Sequence, residues 1–182
     1  KNKQILIFID QEGGKVQRLV GCGFSKFHPQ KFFGDIYLKD KNKALDLAYK
    51  SSFLLGSELN SININVNFSP VCDLLFPGAH SIIGSRAFHS NPLIVYELSK
   101  AFCSGLKDSG VYPVLKHFPG HGRSKFDTHL NKSVVSSSYK DLFENDLVPF
   151  KLLKNESMVM LAHIIYKSID DKVATFSEKI IK

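Results

Sequence analysis

Apolar residues in this chain gather into short runs that end abruptly in charge or glycine. Residues 5–9 lead into Asp10-Gln11-Glu12-Gly13-Gly14, and residues 64–71 into Cys72-Asp73. Residues 111–115 lead into Lys116-His117, and residues 158–161 into Ala162-His163. Strands buried on both faces are expected to be continuously apolar rather than alternating, and residues 5–9 fit that pattern best. Helical spacing fills the intervals. Residues 42–60 place Leu45, Ala48, Leu55 and Leu59 near a 3.6-residue period. Residues 91–109 open with Asn91-Pro92, a cap followed by proline at the first helical position, and stop at Gly110. Their predicted buried stripe is Ile94, Leu98, Phe102 and Leu106. Residues 138–155 carry Leu142, Phe143, Leu147, Phe150 and Leu153, with Pro149 predicting a break or kink.

Strand, loop and helix in repetition predict an α/β protein with a parallel sheet or barrel. Polar residues collect after the strand ends, as at the catalytic face of a (β/α)8 TIM barrel or the crevice of a doubly wound sheet. The chain has no GxGxxG and no P-loop, which disfavours the nucleotide-binding version. It has no repeat, low-complexity tract or linker, so residues 1–182 read as one domain or part of one. A full barrel takes about 250 residues. The sequence opens directly on a strand and closes within the helical pattern Ser177-Glu178-Lys179-Ile180, so a barrel cut at both ends is expected.

Composition narrows the partners. A chain of 182 residues that is 43% hydrophobic and 23% charged is of ordinary globular make-up. No run of about 18 apolar residues predicts a membrane-spanning helix, and residues 1–14 lack a signal-peptide pattern, so a cytoplasmic location and no membrane partner are expected. Cys22, Cys72 and Cys103 are sparse and widely spaced, as free thiols are in a reducing compartment. The net charge of +7 comes from scattered lysines without a basic block, so a solvated surface is expected rather than nucleic-acid binding. Arginine occurs only at positions 18, 86 and 123, each in a glycine-containing polar segment where planar, bidentate recognition is expected.

The densest chemistry lies in residues 114–129, which hold His117, His121 and His129. Pro119, Gly120 and Gly122 forbid a helix and predict that the polar groups after residue 115 sit on a strand-end loop. Asp127 stands two residues before His129, and in an extended loop such a pair shares a side. The carboxylate would then fix the imidazole and stabilise its cation, making His129 a proton donor near neutral pH. His117-x-x-x-His121 superficially resembles zinc spacing, but that spacing aligns ligands only on a helix, so no metal is expected. Lys116 and His117 suit either a solvated tip or a site for sugar hydroxyls or an anion. Asp10, followed by the Gly13-Gly14 turn with Arg18 one or two helical turns later, suits a carboxylate that holds a polyol. It equally suits a cap of the next helix.

Five segments in order carry a resemblance. They are residues 9–18 (IDQEGGKVQR), 67–73 (NFSPVCD), 83–89 (IGSRAFH), 116–122 (KHFPGHG) and 127–129 (DTH). Together they resemble the bacterial β-N-acetylhexosaminidases of glycoside hydrolase family 3, which remove N-acetylglucosamine from cell-wall fragments in peptidoglycan recycling. The resemblance covers essentially the whole chain. It implies a (β/α)8 barrel, of which residues 1–182 would supply about the second to fifth β/α units as a partial N-terminal catalytic domain. It implies a retaining mechanism without cofactor or metal. Asp10, Arg18, Arg86, Lys116 and His117 match the family's sugar-binding positions, His129 its acid/base and Asp127 the partner of that histidine. His129 would protonate the departing glycosidic oxygen and then deprotonate water.

The family's nucleophile is an aspartate beyond the serine-rich stretch that Ala174-Thr175-Phe176-Ser177 resembles, and the given residues stop just after it. Asp170 and Asp171 match an earlier loop. The expectation is therefore a muropeptide-directed glycosidase fragment that is inactive alone, with strand edges left uncovered and room for a complementing chain that supplies the missing strands. The alternatives are a non-catalytic amino-sugar-binding remnant of a split gene and a metal-dependent hydrolase that uses the histidines.

Overall fold

The computed structural model describes residues 5–78, 82–124, 133–156 and 158–182. The chain opens with β1 (Phe8–Ile9), whose end turns into a hairpin of β2 (Gln11–Gly13) and β3 (Val16–Gln17). Helices α1 (Gln30–Tyr37) and α2 (Lys41–Ser61) follow, then β4 (Val66–Asn67), α3 (Pro92–Asp108), β5 (Tyr112–Pro113) and β6 (Leu115–Phe118). The last third holds β7 (Ser133–Val135), α4 (Tyr139–Asp141), α5 (Val148–Leu152), β8 (Val159–Leu161), β9 (Ile164–Tyr166) and α6 (Glu178–Ile181).

β1, β4 and β5 are parallel and adjacent in chain order. Val71, beyond β4, bridges in parallel to Lys116 of β6, and β6 pairs in parallel with β8. The four apolar runs therefore lie side by side in sequence order with crossover helices between them. That is the arc of a (β/α) barrel, with every strand end on one rim. A second parallel pair, β7 with β9, stands beyond the ends of β6 and β8.

The helices form for legible reasons. Asn91 accepts the backbone N–H groups of Leu93 and Ile94, and Pro92 takes the first turn of α3. Asp40 caps α2 by accepting the N–H of Lys43. α3 buries Leu98, Phe102 and Leu106 as expected, while Ile94 is only half covered and Val95 takes its place in the core. α2 likewise buries Ala48, Leu55 and Leu59. These side chains pack with Leu115 and Leu74 into the main core, each fully buried leucine or phenylalanine contributing about 1.5–3 kcal/mol. The helix expected over residues 138–155 is broken. α4 runs into a π-helical turn, Leu142–Asp146, and α5 restarts with Pro149 in its first turn, where its missing N–H costs nothing.

Uncovered apolar strand surface is present. Ile7 and Phe8 on one outer strand and Val159 on the other are each between 44% and 48% exposed, and neither outer edge pairs with a further strand among the described residues. The three cysteines are free, with Cys22 exposed and Cys72 and Cys103 buried. Burial pushes the Cys72 thiol up to about 12, so it is inert as a nucleophile. No helix among the described residues is long and apolar enough to cross a membrane.

Candidate active site

Asp10 leaves β1 at the rim, and the hairpin that follows is pinned from below. Asn67 accepts the Gln11 N–H on Oδ1 at 3.0 Å and donates from Nδ2 to the Gln11 carbonyl at 2.7 Å. The Gln11 Oε1 accepts the Arg18 and Leu19 N–H groups at 2.7 and 3.1 Å, which closes the hairpin on itself. Gly13 and Gly14 sit at φ 94° and 60°, a turn that residues with a Cβ resist. This corrects two expectations: Arg18 is reached through a β-hairpin rather than helical turns, and Asp10 caps no helix, since α1 begins only at Gln30.

Lys116 and His117 lie within β6, not on the loop expected after residue 115. Neighbours on a regular strand face opposite ways, yet both line the same cavity. The pairing of β6 with β8 slips between Lys116 and Phe118, and that irregularity re-aims the side chains. The Lys116–His117 and Phe118–Pro119 peptides are cis.

Asp10, Arg18, Arg86, Lys116 and His117 all line one cavity of about 430 Å³ at the strand ends. Five positions expected from sequence to act together are therefore together. Val16, Ile82, Met160 and Leu161 supply its apolar wall. The Lys116 ammonium, 1% exposed, lies 2.8 Å from Asp10 Oδ1 and 2.5 Å from Glu12 Oε1. Glu12 also accepts a bidentate pair from Arg86, Nε at 2.8 Å and Nη2 at 2.9 Å. Burial pulls the Arg86 guanidinium toward neutrality, but the Glu12 hydrogen bonds and charge outweigh it and the net shift is upward. Two cations thus share one buried carboxylate, and the Asp10 side chain remains 37% exposed beside them.

The far side of the cavity is organised by Asp73, which is fully buried. Its Oδ1 accepts the backbone N–H of His117 at 3.1 Å and of His121 at 2.7 Å, and its Oδ2 lies 2.6 Å from His117 Nδ1. Burial would raise the Asp73 pKa. The His117 charge and hydrogen bond, aided by His121, overcome it and lower it to about 2. His121 packs edge-on against His117 with ring centres 5.3 Å apart. Burial chiefly lowers its pKa, against the opposing pull of the Asp73 charge. His163, after β8, also lines the cavity, with its Nδ1 3.1 Å from Thr175 Oγ1.

Glu12, Asp73 and His163 receive no role from the sequence, although each stands just beyond an apolar run, and His121 enters that reading only through its zinc-like spacing from His117. A carboxylate in that position, flanked by cations elsewhere on the same rim, is the available signal. Asp127 and His129 lie outside the described residues.

Comparison with known proteins fixes the class. The glycosyl hydrolase family 3 N terminal domain matches residues 2–182, and the chain belongs to that family. Its fold is accordingly of TIM-barrel type. A curated β-hexosaminidase of Nitrosomonas eutropha is 39% identical over 98% of the chain and 51% of its own length. The structure of NagZ from Neisseria gonorrhoeae in complex with N-trifluoroacetyl-D-glucosamine superposes with a TM-score of 0.90 at 39% identity, over 95% of this chain and 51% of that one. Zn-bound CbsA from Thermotoga neapolitana gives 0.88 at 30% identity, over 100% and 38%. The chain spans about half the length of the curated relatives it matches.

Proposed function

We propose that this chain is the sugar-gripping part of a retaining β-N-acetylhexosaminidase that releases terminal N-acetylglucosamine from muropeptides in a cytoplasmic cell-wall recycling route. On this reading residues 1–182 form a single partial catalytic barrel domain. The observation that carries the reading is the strand-end cavity in which Asp10, Arg18, Arg86, Lys116 and His117 converge. A rim that sets the Asp10 carboxylate and the His117 imidazole among several cations suits a hydroxyl-rich ring. The N-trifluoroacetyl-D-glucosamine held by the Neisseria relative supports the amino sugar as ligand class.

Asp10 would accept two sugar hydroxyls, while Arg18, Arg86, Lys116 and His117 complete the grip. His129, held by Asp127, would donate a proton to the glycosidic oxygen and later take one from water. The carboxylate nucleophile belongs to a later segment than these residues reach, so a complementing segment or chain is part of the proposal and the isolated fragment binds without turning over. Among the described residues no group of three histidine, cysteine or acidic side chains is placed to hold an ion.

Calorimetry tests the grip. N-acetylglucosamine should give heat with the 182-residue protein, and Asp10→Ala should weaken binding at least about tenfold, the loss of a charge-assisted contact. Rapid hydrolysis of an aryl N-acetylglucosaminide by the same protein would overturn the assignment of the nucleophile to a later segment.

A further inference from the structure

The pair of Asp73 and His117 does more than the sugar-binding roles require. Asp73 touches no part of the cavity itself, yet three hydrogen-bond contacts run from it to the segment that forms the cavity's wall. Two of them anchor backbone, and the third is specific to one ring nitrogen. We propose that Asp73 is a positioning residue of the ligand site, holding His117 as the Nδ1–H tautomer so that Nε2 is presented to the cavity as an acceptor for a sugar hydroxyl.

A carboxylate can only accept at this contact, so Nδ1 must carry the proton. The low pKa of Asp73 keeps it ionised throughout the neutral range. In neutral imidazole the other nitrogen is then the lone-pair acceptor. This complements the cations around it: Lys116 and Arg86 can only donate, and Asp10 can only accept while ionised. With its ring neutral, His117 adds an acceptor to the same cavity, so a hydroxyl that donates to Nε2 can accept from a neighbouring cation. Without Asp73 the imidazole is free to adopt the Nε2–H form, which offers a donor where the rim already has several.

The inference rests on the sugar-binding reading for its ligand, but its first test does not. Long-range nitrogen–proton correlation spectra of the 15N-labelled 182-residue protein, recorded in alkaline buffer, should show a protonated Nδ1 and an unprotonated Nε2 for His117. Asp73→Asn preserves Oδ1 for the two backbone N–H groups and turns an amide NH₂ toward the ring, so it removes the charge while leaving the anchor. The tautomer should then invert, and N-acetylglucosamine binding should weaken about tenfold. In a His117→Gln background, Asp73→Asn should have no further effect on binding, because its action passes through the imidazole. An unprotonated Nδ1 in the wild-type protein, an unchanged tautomer in Asp73→Asn, or an undiminished effect in the double variant each overturns the proposal. Absence of sugar binding by the wild-type protein overturns the ligand reading instead, while the spectra still decide the tautomer.

Discussion

Two aspartates in this molecule are equally shut away from water and are driven in opposite directions. Asp73, at the strand-end wall, is 0% exposed and its pKa falls to about 2; Asp146, at the end of the π-helical turn, is 1% exposed and its pKa rises to about 6. Asp73 meets two backbone N–H groups and an imidazole, so both oxygens are engaged. Asp146 receives the Arg123 Nε at 2.8 Å on Oδ2, while its Oδ1 is buried without a hydrogen-bond partner. Burial raises both pKa values; the number and placement of donors decides which side wins. A buried carboxylate that is fully hydrogen-bonded becomes part of the scaffold, whereas a half-satisfied one stores a cost that a proton can relieve.

The largest expected difference lies in truncation. Asp73→Ala orphans two backbone N–H groups and an imidazole in the interior, and urea denaturation at pH 7 should show a loss of about 3–5 kcal/mol. Asp146→Ala deletes a carboxylate whose desolvation was only half offset, and Arg123, 21% exposed, can still reach solvent. Its loss should be about 1 kcal/mol or less. Equal losses would mean that donor count is not what separates the two sites.

The pH dependence should separate them in sign. Asp73 is depressed, so it contributes stability above its unfolded value near 4 and loses it as pH falls toward 2. Asp146 is raised, so the folded state binds more protons between about 4 and 6 and stability declines as pH rises through that window. The decline across the window amounts to about 3 kcal/mol, because each pH unit separating the folded from the unfolded value is worth about 1.4 kcal/mol. Asp146→Asn should flatten the curve between pH 4 and 6 and leave the fall below pH 4 intact, as read from denaturation midpoints across pH. A decline that survives in Asp146→Asn would assign it to another group.

The sequence makes one of these regions legible and not the other. Continuous apolar runs predict the parallel strands, and the Asn91-Pro92 start and Gly110 stop predict α3 nearly to the residue, because caps and glycine act locally. Asp10, Arg18, Arg86, Lys116 and His117 can be collected because they stand at strand ends and match a family pattern. Glu12 and Asp73 are visible as letters but not as partners, since each acts on residues 74 and 44 positions away in the chain. Local spacing carries no information about such pairs. The hairpin after Asp10 escapes the helical expectation because closure depends on Gln11 reaching Arg18, a side-chain-to-backbone contact that hydrophobic periodicity does not register. Asp146 is hidden for another reason: it lies inside a π-helical turn that resembles ordinary helix in its apolar spacing.

Arg123 offers the smallest and most selective test of the comparison. Its guanidinium carbon lies 4.3 Å from the centre of the Phe76 ring while Nε holds Asp146 and Nη1 lies 3.3 Å from Ser137 Oγ. One planar group therefore serves three neighbours, which a lysine ammonium cannot do. Arg123→Lys should keep the charge beside Asp146 but lose the stacking and the fixed direction of the hydrogen bond. The expected cost is about 1 kcal/mol, with the Asp146 pKa moving further up as the directed Nε donor is lost. Denaturation at pH 5 and pH 8 distinguishes the two contributions: lost stacking lowers stability equally at both, whereas a weakened hold on the carboxylate costs more at pH 8, where Asp146 is ionised. A cost that is the same at both values would show that Arg123 matters to this region through Phe76 alone, and that the charge of Asp146 is carried by its surroundings rather than by its ion pair.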